Sequence, residues 1–242
     1  MKHTMTMTLA LLAAGAALAA EPAPTNQVAD AIAKLKAAAN YSWTSTLKMA
    51  NSDFNIGPVK GQADKDGFAK MSQQFMDNTT EIVLKGDKVA LKGESGWDLL
   101  AEGGDMSTFF AAGMARNGAA AQEAEIVLKS VKELKALDGG VLGGDFTGAG
   151  ATDLMSFGPR HTTGDNAFPP PKNAQGSVKF WLKDGMVAKY ETHLVGTMTM
   201  GDSDNEMDQT RTVEFQDVGT TKMDIPADAK KKLEAKPDAA PK

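Results

Sequence analysis

The sequence predicts an α+β fold: a strongly curved antiparallel β-sheet, in effect a half-open barrel, with helices packed on its concave face. Three observations lead there. Stretches such as YSWTSTLKM and GSVKFWLKDGMVAKYETHLVGTMTM alternate apolar and polar residues, the pattern of strands buried on one side. Short glycine-containing turns join consecutive stretches directly, so neighbouring strands run antiparallel. Helical patterns interrupt this meander without alternating with it, which argues against a doubly wound sheet. Glycines inside the strands, Gly61, Gly143 and Gly196, are where such a sheet bends.

The first helix is expected in TNQVADAIAKLKAAAN. Val28, Ile32, Leu35 and Ala39 form its stripe, and Thr25 or Asn26 would be the N-cap. The strand YSWTSTLKM follows, with Tyr41, Trp43, Ser45, Leu47 and Met49 on one face. Lys65-Asp66-Gly67 predicts a three-residue loop that pairs Ala63 with Ala69 and Gly61 with Met71. Gly86-Asp87 predicts a two-residue turn that pairs Leu84 with Val89 and Ile82 with Leu91. At Lys183-Asp184-Gly185 a three-residue loop gives the cleaner faces. It pairs Leu182 with Met186, Phe180 with Ala188 and Val178 with Tyr190.

The middle of the chain, Ser107 to Leu137, is helical in composition and broken at Asn117-Gly118. Ile126, Val127, Val131, Leu134 and Leu137 give it an apolar side. GGVLGGDFT reads as a glycine-rich strand, with Thr147 capping a short helix that ends near Leu154-Met155. After the long strand comes an acidic loop, Asp202 to Asp208. Next is TRTVEFQDV with Val213 and Phe215 buried, and KMDIP then forms a last short strand. The tail ADAKKKLEAK makes a short helix that frays.

The ends and the composition bound the function. Lys2, the apolar run from Leu9 to Leu18 and the small-x-small pattern Ala17-Leu18-Ala19 form a secretory signal over residues 1–19. That run is shorter than the roughly 20 residues needed to span a bilayer. The expectation is therefore a soluble, monomeric protein in the periplasm or outside the cell. It would have one domain over 20–235 and a disordered tail over 236–242. The chain has no cysteine, which excludes disulfides, thiolate chemistry, cysteine zinc sites and a lipidated N-terminal cysteine. A formal charge of −5 with interspersed lysines and carboxylates leaves no basic stripe, so nucleic acid is not an expected partner.

Taken in order, an amphipathic helix, YSWTSTL, the hairpins GQADKDGFAKM and TEIVLKGDKVAL, GWDLL, a helical insert, VKFWLKDGMVAKYE and VEFQDVGTTKMDIP form a pattern. It resembles the LolA-type outer-membrane lipoprotein carriers and the mycobacterial LppX/LprG-type lipoproteins. The resemblance spans most of residues 25–226. It implies a half-open antiparallel barrel lidded by helices, with an apolar cavity that holds acyl chains. The function it implies is a non-enzymatic carrier or chaperone for a lipid or acylated ligand, with an envelope protein as a further partner. The alternative is a ligand-free structural or interaction module of the envelope. The inward row expected to line the cavity is Trp43, Met71, Phe180, Leu182, Met186, Tyr190, Leu194, Met198, Met200 and Phe215. Methionine suits surfaces that accept varied apolar shapes.

Other chemistries fail on context. STLK (Ser45 to Lys48) and SDN (Ser203 to Asn205) match two β-lactamase boxes. The serine of that class opens a helix, whereas Ser45 sits in a strand pattern, and no KTG follows. His161 and His193 lack a partner at i+4. An EF-hand starting at Asp202 would need glycine and glutamate where Met207 and Val213 stand, so that motif fails and a solvated hairpin loop is the expectation. Met198 and Met200 lack a further copper ligand. No cofactor or metal is therefore expected.

Overall fold

A computed structural model describes residues 22–50, 57–75, 78–100, 106–156, 169–200 and 202–235. The expected signal segment, the tail 236–242 and His161 lie outside the described residues, as does the side chain of Met200. Among the described residues eleven strands form one antiparallel sheet, curved and unclosed. They are β1 (Asn40–Met49), β2 (Val59–Asp64), β3 (Phe68–Phe75), β4 (Asn78–Lys85), β5 (Lys88–Gly93) and β6 (Gly96–Leu99) in the first half. The second half holds β7 (Lys135–Ala136), β8 (Val141–Asp145), β9 (Lys172–Lys183), β10 (Met186–Met200) and β11 (Ser203–Gln216). The spatial order is β6-β5-β4-β3-β2-β1-β11-β10-β9-β8-β7. Both halves are meanders, and β1 and β11 join them in the middle.

Four helices cover the concave face: α1 (Pro24–Ala37), α2 (Met106–Ala115), α3 (Ala120–Lys129) and α4 (Gly148–Met155). The first helix starts one residue before the expected caps. Pro24 takes the opening position, where its missing N–H costs nothing, and no side chain caps the end. Val28, Ala31, Ile32 and Leu35 face the core, while Ala39 lies beyond the helix. Thr147 caps α4 as expected, its Oγ1 accepting the Gly150 amide at 2.9 Å.

The fifth helix, α5 (Ala227–Glu234), lies on the other side of the sheet. Its Ala229 and Leu233 pack with Phe68, Val83, Ala90 and Trp97, a cluster separate from the main core. Val83 stands between Ile82 and Leu84, which belong to the main core, so this cluster occupies the convex face. The expected strand KMDIP is absent. Residues 221–226 run as irregular chain toward α5, and Met223 and Ile225 join its cluster.

Two hairpins keep the expected register, Gly61 with Met71 and Ala63 with Ala69, then Ile82 with Leu91 and Leu84 with Val89. The third differs. Met186 pairs with Lys183 across a two-residue turn, Asp184-Gly185, with both residues at positive φ. The extra residue is Ala188, a bulge inside β10, after which Lys189 pairs with Trp181 and Tyr190 with Phe180. A two-residue turn with this left-handed geometry follows the twist of its strands, which favours it over the longer loop. A second irregularity opposes Gly196 to Asn173 and Ala174. At Gly61 the need for glycine is steric: a Cβ would sit 2.1 Å from the Trp43 ring.

The helical insert is shorter than expected. Gly118, at φ 72°, separates α2 from α3, and α3 ends at Lys129. Val131 bridges Phe146, Leu134 is buried, and Leu137 is exposed beyond β7. The acidic loop is also revised. Apart from Asp202 in the turn, its residues belong to β11.

Candidate functional site

Alternation along the central strands places a continuous aromatic row on the concave floor. Trp43, Tyr41, Phe215, Tyr190 and Phe180 come from β1, β11, β10 and β9, with successive ring centroids 5.7 to 6.2 Å apart. Tilted and edge-on pairs at these spacings add about 0.5–1.5 kcal/mol each beyond their buried area. Met71 and Leu194 are buried in the same core, and Met198 is fully buried on the inward side of β10. Leu182 is half-buried against this core.

Met186 is the exception in the expected row. Its cross-strand partner is Lys183, so it points to the convex side, and Val187, opposite Leu182, takes the inward place. The bulge at Ala188 is the cause. From Tyr190 onward the faces are as expected, because the displaced residue lies within the strand instead of the loop.

What α3 lays over the row is mostly alanine. Ala120, Ala121, Ala124 and Val127 are the apolar residues that α3 buries, and Ala111 is buried on α2. The N-cap position of α3 is Ala119, which has no acceptor of its own. The sheet supplies one: the Tyr41 hydroxyl accepts the Ala121 amide at 3.4 Å. Burial then pushes the Tyr41 pKa up to about 12, against a smaller lowering by that amide.

A charged pair also lies under α3. Glu123 is buried and bonds the guanidinium of Arg211 on β11 through Nη1. Arg211 Nε donates to Ser45 Oγ at 2.7 Å, and Asn117 Nδ2 donates to Glu123 at 3.2 Å. Burial opposes the charge on Arg211, and attraction to Glu123 and Tyr190 together outweighs it, so the Arg211 pKa moves upward. The Tyr190 hydroxyl beside them is buried without a hydrogen-bond partner among the described residues. Its pKa is held well above the usual value by burial first and by the Glu123 charge second. The sequence carried a signal for this cluster. Arg211 shares the inward parity of Val213 and Phe215, and a charge at an apolar position of a strand marks a place with a partner.

The remaining candidates are ordinary by position. Ser45 and Lys48 differ in parity, so they point to opposite faces of β1, and Ser45 is engaged by Arg211. His193 is exposed on the convex side, 2.8 Å from Asp208. Asp204 is held by Lys172 at 3.0 Å and Thr199 at 2.6 Å. Among the described residues no group of three histidine or carboxylate side chains is placed to hold a metal, and no helix is long and apolar enough to cross a membrane. Two surface hollows, of about 410 and 370 Å3, lie away from the aromatic row. One is lined by Lys132, Phe146, Ser177 and His193, the other by Gln27, Asp30, Lys34 and Leu182.

The fold and the site together define an open, curved antiparallel sheet whose aromatic concave face is roofed by short helices. Solved structures similar to this chain include LppX, a lipoprotein of Mycobacterium tuberculosis. That likeness has 13% identity, covers 84% of this chain and 99% of the other, and gives a TM-score of 0.45. LprF of Mycobacterium bovis matches at 11% identity over 83% and 94% of the two chains, with a TM-score of 0.42. A LolA superfamily protein of Nitrosomonas europaea matches at 7% identity over 86% and 97%, with a TM-score of 0.35. No family model matches the sequence, and no curated protein matches it.

Proposed function

We propose that the chain is an exported carrier or chaperone that binds an apolar or acylated ligand between the concave sheet and the α2–α3 cover. One observation carries this reading: an aromatic floor, with Met71 in the same core, is roofed by a helix that holds it mainly through alanines and one charged pair. Buried leucines on a roof would each hold by about 1.5–3 kcal/mol, whereas an alanine methyl holds by far less. The Arg211–Glu123 pair adds little net hold, because both charges are well solvated once the roof lifts. Lifting α3 therefore uncovers the floor at small cost. An incoming acyl tail would return about 0.8 kcal/mol per buried methylene. Covalent chemistry is not needed. The single domain over 20–235 would work as a monomer in the periplasm or outside the cell.

A second reading is favoured by a specific observation. The chain's own side chains occupy the concave face, with most inward residues of β1 and β10, and Val213 and Phe215 of β11, buried or half-buried. On that reading the protein is a structural or interaction module of the envelope. The two separate cleanly. Protein purified without detergent should release lipid into organic solvent, identified by mass spectrometry. Leu194→Asp should abolish uptake while the circular dichroism of the fold persists. A lipid-free protein that takes up no acyl probe is the module.

A further inference from the structure

Under the reading above, lifting α3 separates Glu123 from Arg211, and the consequence falls on Arg211. Among the described inward positions of β1, β10 and β11 it is the one charged side chain. It lies between Leu47 on one neighbouring strand and Thr192 on the other. A neutral ligand filling the space left by α3 would cover most of that guanidinium with no counter-charge, which is unfavourable. A ligand that brings its own oxyanion removes the penalty.

We infer that Glu123 stands in for the ligand's head, and that Arg211, Ser45 and Tyr190 form a head-group seat for an aliphatic chain ending in an oxyanion, a carboxylate or a phosphate. The seat is built. Ser45 Oγ fixes Arg211 through Nε, leaving Nη1 on Glu123, the kind of contact a carboxylate or phosphate would take over. The Tyr190 hydroxyl, fully buried and without a well-formed hydrogen bond, faces the Glu123 carboxylate, whose place the oxyanion would take. Such a group is costly to leave unsatisfied in the only state of a protein, and a bound oxyanion with several acceptor sites gives it a partner. The tail has its path beside the seat, since Tyr190 belongs to the aromatic row. The Arg211 side chain keeps 33% exposure, so the head sits at the water-facing end of the site and need not be fully desolvated.

The inference rests on the apolar-ligand reading, and one experiment separates their failures. The delipidated protein is titrated calorimetrically with dodecanoate, dodecyl phosphate and dodecanol. At least one of the two anions should bind about tenfold or more tightly than the alcohol, as a charge-assisted bond requires. Which anion does so identifies the head. Arg211→Gln should bring that anion down to within about threefold of dodecanol, leaving dodecanol itself little changed. Glu123→Gln removes the competing charge and should widen the preference for the anion. If all probes bind the wild type alike, the head-group seat is overturned while the carrier reading stands. If none binds, the carrier reading fails and takes the seat with it. Should Arg211→Gln not fold, the Glu123→Gln titration decides: an unchanged ratio of anion to alcohol overturns the seat.

Discussion

Two helices of similar kind roof the concave face, and they hold it by different means. α1 buries Val28, Ile32 and Leu35 with no charge among them. α3 buries Ala120, Ala121, Ala124 and Val127, and adds Glu123. The first is a foundation made of branched side chains. The second rests on methyl groups, a borrowed cap and a charged pair. Two helices on one face thus differ in how much of the fold depends on them.

The largest expected effect tests the foundation. Leu35→Ala should lower global stability by about 2–5 kcal/mol, read as a shifted urea midpoint with an unchanged slope. A local loss confined to α1 would break the contrast. Next, replacing the charged pair together, Arg211→Met with Glu123→Leu, should stabilise the closed form by about 1–4 kcal/mol. The same variant should slow uptake of any acyl probe in stopped-flow measurements. A destabilised double variant would show the pair to be a support. Tyr41→Phe removes the borrowed cap, and its effect should be about 0.5–1 kcal/mol, given the 3.4 Å contact. Hydrogen exchange should speed up at the first amides of α3 and stay unchanged in α1.

The smallest effect is in acid. Glu125, held by Lys129 and Lys36, has its pKa lowered from 4.5 to about 2. Its folded pKa lies below the unfolded value, so its contribution is complete above pH 4.5 and is lost as pH falls toward 2. The carboxylate is largely in water, so the contribution is modest and screened by salt. Since Lys36 Nζ lies 2.6 Å from Glu125, exchange should rise where α1 meets α3 over that window, and added salt should reproduce part of the rise at neutral pH.

The sheet was legible where parity decides. Lys65-Asp66-Gly67 and Gly86-Asp87 have one loop length each that keeps apolar residues together, and those pairings form. At Lys183-Asp184-Gly185 parity has two solutions. An extra residue in the loop or in a bulge at Ala188 gives the same faces from Tyr190 onward, and only Met186 and Val187 change sides. The helical spacing of Val131 and Leu134 was misleading, because α3 stops against α4. Ser130 O accepts the Thr147 amide at 2.9 Å, and a Cβ on Gly150 would come within 2.6 Å of that oxygen. Contact between distant segments ended the helix, and local pattern does not encode it. Within the site, the aromatic row follows from alternation, whereas the partners Arg211 and Glu123 are 88 residues apart.

The sheet is also fastened unequally. On the wing of β4, β5 and β6, α5 grips the outside while α2 rests inside, so that wing is a sandwich. On the wing of β9 and β10, the helices in contact, α1 and α4, lie on the inside. Loosening α5 would therefore act on the β4–β6 wing, whereas the β9–β10 wing answers to α1 and α4, which share the concave side with the roof.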